Sequence, residues 1–407
     1  MKRLLRGSAA VLAATLALLL LAACAQQVRL SGGETLPPAA DGALRLATHN
    51  VHYIDLRAAS GPWSVAGWEA RRGALNAAFR ALDADAVAFQ EMESWGGGSQ
   101  SGENLALDWL LQRNPDYAAT AVGAPATFPS TQPILYRAAR LEPVDQGWFF
   151  FSEAPETIYS RGFDGAPPSF ASWTAFRDRR TGGALTLVNV HLDAGSWENR
   201  RRAAGLVAAF AARRIADGER VAVLGDLNAV HGRPTMAILE GGGLRFPRVG
   251  GATFHFNRGL HLFGAIDHIG LGPGLRASGA PMVLQSRPGG AWPSDHHPVA
   301  LDVAFEGERR SREWPRPGDD HGSARCRDGR RSPSPDRGAG LRGPVPTSTF
   351  AKPPCPGWST PRSCPVRARR PHRAWRDRPR DWPAGDRGAI RPHPATATAG
   401  GDFSARS

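Results

Sequence analysis

Between Ala25 and Phe305 the chain has no cysteine; its four thiols are Cys24, Cys326, Cys355 and Cys364. That gap excludes a disulfide framework and a cysteine-type zinc site for the central region, so its fold must rest on apolar burial. Net charge is also scarce there. Residues 1 to 305 hold 28 basic against 26 acidic residues, whereas Glu306 to Ser407 hold 22 against 11, which accounts for +11 of the overall +13. Bulk charge therefore gives the body no case for binding a polyanion; such a case runs through the tail alone. Long apolar runs are missing as well, apart from Ala9 to Ala23. That run falls short of the roughly 20 residues a permanent span needs.

What is present begins with "MKRLLRGSAAVLAATLALLLLAACAQQ", three basic residues ahead of the apolar run. This is the layout of a secretory signal over 1–23. Leu21-Ala22-Ala23-Cys24 resembles a bacterial lipobox, which implies cleavage before Cys24 and lipidation of its thiol; an ordinary signal with an incidental cysteine is the plainer alternative. Acyl chains add roughly 0.8 kcal/mol per buried methylene, so several of them hold a protein on a bilayer. Ala25 in place of an aspartate points to the outer membrane, and the expected location is extracytoplasmic, on its periplasmic face. Residues 24–42, with Ser31-Gly32-Gly33 and Pro37-Pro38, read as a tether to a monomeric domain over 43–305. Residues 306–407 contain 16 of the 34 prolines and no apolar period, so disorder is expected. Three readings of this tail stand side by side: a dispensable extension, an out-of-frame end of a GC-rich gene, or a basic arm for anionic lipid or nucleic acid.

Within the body, strand and helix patterns alternate. "LRLATHNV", "DAVAFQE", "ALTLVNVHLD", "VAVLGDLNA" and "AIDHIGLG" read as strands, with further strand-like segments at 132–137, 147–151 and 170–177. "WEARRGALNAAFRALDA", "ENLALDWLLQR" and "ENRRRAAGLVAAFAARRIA" read as helices; the first carries Leu75, Ala78, Phe79 and Leu82 on one face. "ATFHF" lies between the last two strands, and "WPSDHHPVALDV" opens a half-buried one near His297. Strand after strand ends in a polar group: Asn50, Glu91, His191 with Asp193, Asp226 with Asn228, Asp267 with His268, and Asp295 with His296 at the mouth of the last. One such ending is an ordinary solvated turn. Six, all carboxylate, amide or imidazole, suggest strand ends that converge at one rim, where carboxylates repel unless a cation sits among them. Hard divalent cations take oxygen ligands, which one or two carboxylates and an amide supply. Glu91, closing a buried strand, is the first candidate, because a lone carboxylate there is costly without a partner.

Asn50 in "LATHNVH", then "AFQE", "NVHLD", "GDLN", "IDHI" and "SDHHPV", in this order and spacing, resemble the endonuclease/exonuclease/phosphatase superfamily, the deoxyribonuclease-I-like fold, over about residues 43–305. The resemblance implies an α+β, four-layer αββα sandwich and hydrolysis of a phosphoester by in-line attack of water, with Mg²⁺ or Mn²⁺ as cofactor. It implies a metal held by Glu91, with Asn50 and Asp295 beside it. It further implies that Asp226 orients or deprotonates the water, that Asn228 positions water and phosphate, and that His191 contacts the phosphate or serves the leaving group. By the same resemblance His296 matches the catalytic imidazole and Asp267 the carboxylate paired with it, a pairing that fixes the ring tautomer and favours imidazolium. His52, His268 and His297 take no role, and His297 stands as a spectator.

Two departures bear on substrate. "PSFASW" places Ser169 where similar small secreted members carry arginine, while Trp173 is kept, and a lost arginine weakens the grip on a charged phosphate. No basic, aromatic-studded insertion of the DNA-reading kind is evident, so nucleic acid is an open partner. A phosphodiesterase, with nuclease activity one form of it, leads. A phosphomonoesterase on inositol or lipid phosphates, or a surface-binding protein without turnover, are the rivals, since fold alone does not choose among them.

Overall fold

The computed structural model describes residues 2–30, 32–96 and 103–306. The chain divides into two units, Met1–Gly322 and Ser323–Ser407; the second, like the tail reading from 307 onward, lies outside the described residues. Helix α1 (Lys2–Leu30) runs without a break through the apolar segment and Cys24 into the expected tether. No described helix is long and apolar enough to cross a membrane.

Two sheets form the body. The first has the order β12 (Leu275–Ala277), β14 (Val299–Phe305), β1 (Leu44–Asn50), β3 (Ala86–Gln90), β6 (Ile134–Arg137), β5 (Tyr117–Thr120), with β13 (Met282–Val283) also on β14. The second runs β11 (Asp267–Leu271), β10 (Val221–Asp226), β9 (Ala184–His191), β8 (Phe170–Asp178), β7 (Leu141–Phe150). A two-stranded piece pairs β2 (Ile54–Asp55) with β4 (Ser94–Trp95). Helices α2 (Val65–Leu82) and α3 (Leu105–Arg113) cover the first sheet, and α4 (Trp197–Ala216) and α5 (Pro234–Gly241) the second.

The period of two along each strand decides which layer its side chains enter. In β10, Ala222 and Leu224 join the core between the sheets, while Val221 and Val223 pack under α4 and α5. In β1, Leu44 and Leu46 face the other sheet and Ala47 faces α2. The three apolar clusters therefore lie helix–sheet, sheet–sheet and sheet–helix, which is the four-layer αββα arrangement. Polar links cross the central layer, among them a buried amide pair: Gln90 Nε2 donates to Asn189 Oδ1 at 2.6 Å, and Asn189 Nδ2 donates to Phe89 O at 2.8 Å. A buried amide pair with both partners satisfied fixes the relative register of two otherwise apolar faces.

One reading of the sequence needs correction, and two segments it left unassigned are now placed. β14 is buried on both faces rather than half-buried: Val299, Leu301 and Val303 enter the central core, and Ala300 enters the layer beneath α2. "ATFHF" is not a strand; it makes a single bridge, Phe254 to His296. The short α5 has no side-chain N-cap and only eight residues, too few to show a helical period. The second face of β14 escaped notice because Asp302 reads as a solvent position. Here it is 7 % exposed and bidentate to Arg45, with Nε to Oδ1 at 2.7 Å and Nη2 to Oδ2 at 3.0 Å. Removing one partner of such a pair strands a buried charge, at about 3–5 kcal/mol. Asp302→Ala is expected to lower the urea midpoint accordingly, and Arg45→Met/Asp302→Leu to regain most of it; a single variant as stable as the parent excludes the account.

Candidate active site

The strand directions gather the polar endings. β1 and β3 run parallel, as do β9 and β10, so their carboxyl ends meet at one rim. β14 is antiparallel to β1 and β11 to β10, which brings the amino ends of these two to the same rim. In register, Asp226 stands opposite both His191 and Asp267. The eight candidate site residues thus come to one rim, four from each sheet, whereas Asp193 is taken up by Gly195 N, Ser196 N and Asn199 Nδ2 ahead of α4.

Asp226 Oδ2 is the hub. It accepts from Asn50 Nδ2 at 3.2 Å, and lies 3.6 Å from His191 Nε2 and 3.7 Å from His296 Nε2. The last two separations are too long for hydrogen bonds and suit groups that close on a shared phosphate oxygen or water. Asn50 Nδ2 also donates to Glu91 Oε1 at 2.9 Å, and His191 Nε2 stands 3.8 Å from the same oxygen. Glu91 sits at φ +54°, a left-handed conformation that a branched chain avoids and that a functional position often holds. His296 Nδ1 binds Asp267 Oδ2 at 2.9 Å. Asp295 accepts from Ser294 Oγ at 3.2 Å and lies 3.6 Å from His52 Nδ1.

Burial and neighbours set the charges. Burial alone lowers the affinity of His296 for its proton, but Asp267 and then Asp226 overcome this and raise its pKa to about 10. Burial first, then the Asp267 charge, raises Asp226 to about 6. Burial works to raise Asp267 too, yet His296 and its hydrogen bond hold it below the ordinary value. Asp226, Asp267 and His296 offer ligand atoms within 4.8 Å of one another, close enough for a metal. We read them instead as a proton-carrying triad: an imidazolium has no free lone pair, and its Nδ1 is committed to Asp267. Glu91, about a quarter exposed, is the carboxylate open to a cation.

Asn228 sits at φ +45°, donates through Nδ2 to Leu192 O at 2.8 Å, and its N–H reaches Asp226 Oδ1 at 2.9 Å. It locks the turn after β10 as well as facing the site. His268, to which the sequence reading gave no role, holds the same turn through Ala229 O at 3.0 Å. His297 is buried with His255, His261 and Trp292, its Nε2 3.0 Å from His261 Nε2 and its ring stacked on His255 at 4.2 Å. Trp173 is far from a phosphate role: it lies under Arg214 at 4.1 Å and against Phe210.

Arg71 was not anticipated. From α2 its guanidinium donates to Val51 O at 2.7 Å, Pro293 O at 2.9 Å and His52 O at 2.5 Å, stapling the segment after Asn50 to the one before Asp295. The signal was available: Arg71 falls on the stripe of Trp68, Leu75, Ala78 and Leu82, where a cation needs buried acceptors.

The family model "Endonuclease/Exonuclease/phosphatase family" matches residues 47–296, from β1 to His296. The chain belongs to this family. Solved structures of the endonuclease/exonuclease/phosphatase family share its fold. One from Bacteroides thetaiotaomicron has a TM-score of 0.53 at 23% identity, covering 65% of this chain and 98% of that one. One from Bacteroides vulgatus has a TM-score of 0.54 at 22%, covering 65% and 100%. A mannosyl-6-phosphatase from Bacteroides thetaiotaomicron has a TM-score of 0.53 at 22%, covering 64% and 100%. No curated protein matches the chain in sequence. The family consists of phosphoester hydrolases, and the matched span takes in the rim described above.

Proposed function

We propose that this chain is a hydrolase of phosphodiesters that works with Mg²⁺ or Mn²⁺. The observation that carries the reading is the triad: a buried imidazolium, His296, held by Asp267 and facing a carboxylate, Asp226, whose proton affinity is raised toward neutrality. Asp226 is suited to accept a proton from an attacking water at a pH where it is largely ionised. His296 remains charged there and stabilises the negative charge that builds on the phosphoryl oxygens. His191, 29% exposed, is free to approach the oxygen on the leaving side.

The site also fits a divalent cation. Glu91, Asp226, Asp267 and Asp295 are gathered with no ion pair to Lys or Arg among the described residues, and such an excess of oxygen anions calls for a hard cation. Glu91 and Asn50, with Asp295 beside them, would hold it. When bound, such an ion polarises the phosphoryl group and offsets its charge. The shortage of cationic side chains favours a singly charged diester over a doubly charged monoester. A phosphomonoesterase reading is the runner-up; the mannosyl-6-phosphatase shares only the fold at 22% identity, so electrostatics carries the choice. Attachment to a membrane through a lipidated Cys24 belongs to the same proposal and rests on the lipobox-like sequence.

The test is hydrolysis of bis-p-nitrophenyl phosphate by the full chain. EDTA is expected to abolish it and Mg²⁺ or Mn²⁺ to restore it, with Glu91→Ala losing most activity while its melting temperature holds. Full turnover in excess chelator overturns the metal assignment; faster turnover of p-nitrophenyl phosphate overturns the choice of a diester.

A further inference from the structure

One side of the site is built of rings. Phe254 bridges to His296 through the backbone, and its ring centroid lies 5.0 Å from the imidazole. Phe256 follows at 4.3 Å from Phe254, and Phe263 at 6.0 Å from Phe256. Phe254 and Phe256 are half-buried, and Phe263 is exposed at 54%. Leu260 and Leu262 beside it are exposed by 41% and 40%. A catalytic imidazole is thus joined to solvent by a continuous apolar stair.

The backbone that presents the stair is strained. Phe256 and Asn257 take φ +59° and +57° in succession. Left-handed residues other than glycine cost of order 1 kcal/mol each and persist where surrounding structure or function requires them. For a phenylalanine this conformation has no local hydrogen-bonding compensation of the kind Asn enjoys. With this backbone, the Phe256 ring lies 4.3 Å from that of Phe254.

We infer that Phe254, Phe256 and Phe263 form a specificity subsite, taking a flat or apolar group attached to the phosphoryl centre. The inference deepens the hydrolase reading and rests on it for the position of the phosphate. The chemistry of the wall selects the ligand class. An aromatic ring stacks on Phe with about 0.5–1.5 kcal/mol beyond its burial, whereas a group rich in hydroxyls needs paired carboxylates or amides. The stair offers Phe and Leu side chains. The preferred substrates are therefore esters whose organic part presents an aryl, base-like or alkyl face next to the phosphate. A lipid surface could also meet exposed leucines and phenylalanine, but the contact of the stair with His296 places its inner end at the reacting group, and favours a substrate.

The experiment separates this from the hydrolase reading by measuring binding without turnover. Affinities of the full chain for phenylphosphonate and methylphosphonate, which carry the same charge, are compared by calorimetry in Mg²⁺. Phenylphosphonate is expected to bind about tenfold more tightly, and Phe256→Ala and Phe263→Ala each to remove about three- to ten-fold of that preference while leaving methylphosphonate unchanged. Phe263→Ala, at an exposed position, keeps the test valid if Phe256→Ala fails to fold. Equal affinities in the parent, or a preference that survives both substitutions, overturns the subsite. Loss of binding to anionic vesicles with the phenyl preference intact assigns the patch to lipid and overturns it as well. Turnover of bis-p-nitrophenyl phosphate by the parent, run in parallel, reports on the hydrolase reading independently.

Discussion

His296→Ala loses on the order of 10²- to 10⁴-fold in turnover on a small phosphodiester, the range for a positioned acid–base group. The reason lies in two carboxylates. Asp267 and Asp226 are 0% and 1% exposed, and the imidazolium stands between them. Without it Asp267 loses its 2.9 Å partner, and the raised affinity of Asp226 for a proton rises further, so the base is neutralised at working pH. Rate and pH profile should therefore change together. The rise of activity with pH, set in the parent near the pH of about 6 at which Asp226 ionises, should move to higher pH. Asp267→Asn isolates the other link: it keeps the ring but removes the anion that holds its proton, so the alkaline limit should fall below the parent's, which His296 sets near about 10. A kinetic series from pH 5 to 10 on both variants, with melting curves alongside, is the measurement. Parent-like turnover in His296→Ala, or unmoved limbs in both, removes the triad from the mechanism.

The second large effect is on stability in acid. His255 and His297 are buried, at 0% and 1% exposure. Burial, then Asp295 acting the other way, leaves His255 at about 4; burial, then the neighbouring rings of His255 and His261, brings His297 down to about 2. In the unfolded chain both return to about 6.5. Between about pH 6.5 and 4 the unfolded state therefore binds more protons, and stability falls as pH falls. Each group contributes about 1.4 kcal/mol per pH unit in that window, so the pair removes on the order of 4 kcal/mol between pH 7 and 5. His296 works with the opposite sign: its raised value adds stability below about 6.5 that is lost as pH climbs toward 10. Stability should peak close to neutrality. Since a domain has roughly 5–15 kcal/mol in hand, urea midpoints at pH 5 and 7 will differ plainly. His255→Phe supplies the control, because both ring nitrogens of His255 lack partners and a phenyl ring sacrifices nothing there. It should remove the His255 share of the acid limb and leave those of His297 and His49, which burial lowers to about 3. Equal midpoints at pH 5 and 7 would falsify this account.

Much of the layout was legible because strand endings are local. Asn50, Glu91, His191, Asp226, Asp267, Asp295 and His296 each close or open an apolar strand, and parallel and antiparallel pairing brings such ends together without any knowledge of long-range contacts. What could not be read depends on tertiary placement. The acceptors of Arg71 come from two loops more than two hundred residues apart in sequence at one of them, Pro293. The burial of Asp302 depends on Arg45, and that of His297 on His255, His261 and Trp292. The stair on His296 was hidden for a different reason: "ATFHF" alternates as a strand does, and only the left-handed Phe256 shows that its rings lie along one wall.

The order of strands in the first sheet also governs how the chain reaches its working form. β1 is the first strand of the body to be synthesised and β14 the last, yet they are neighbours, and β14 lies inside the sheet between β12 and β1. Until β14 has been made, one long edge of β1 lacks this partner, and Asp295 and His296, just ahead of β14, are the last of the rim residues to be made. Half of the rim can assemble early, but the centre that reacts cannot. Because the closing contact spans nearly the whole domain, its formation carries the full entropy of a large loop and should be slow relative to helix formation. A chain cut short before Asp295 would therefore carry an open sheet edge and lack two of the eight candidate residues.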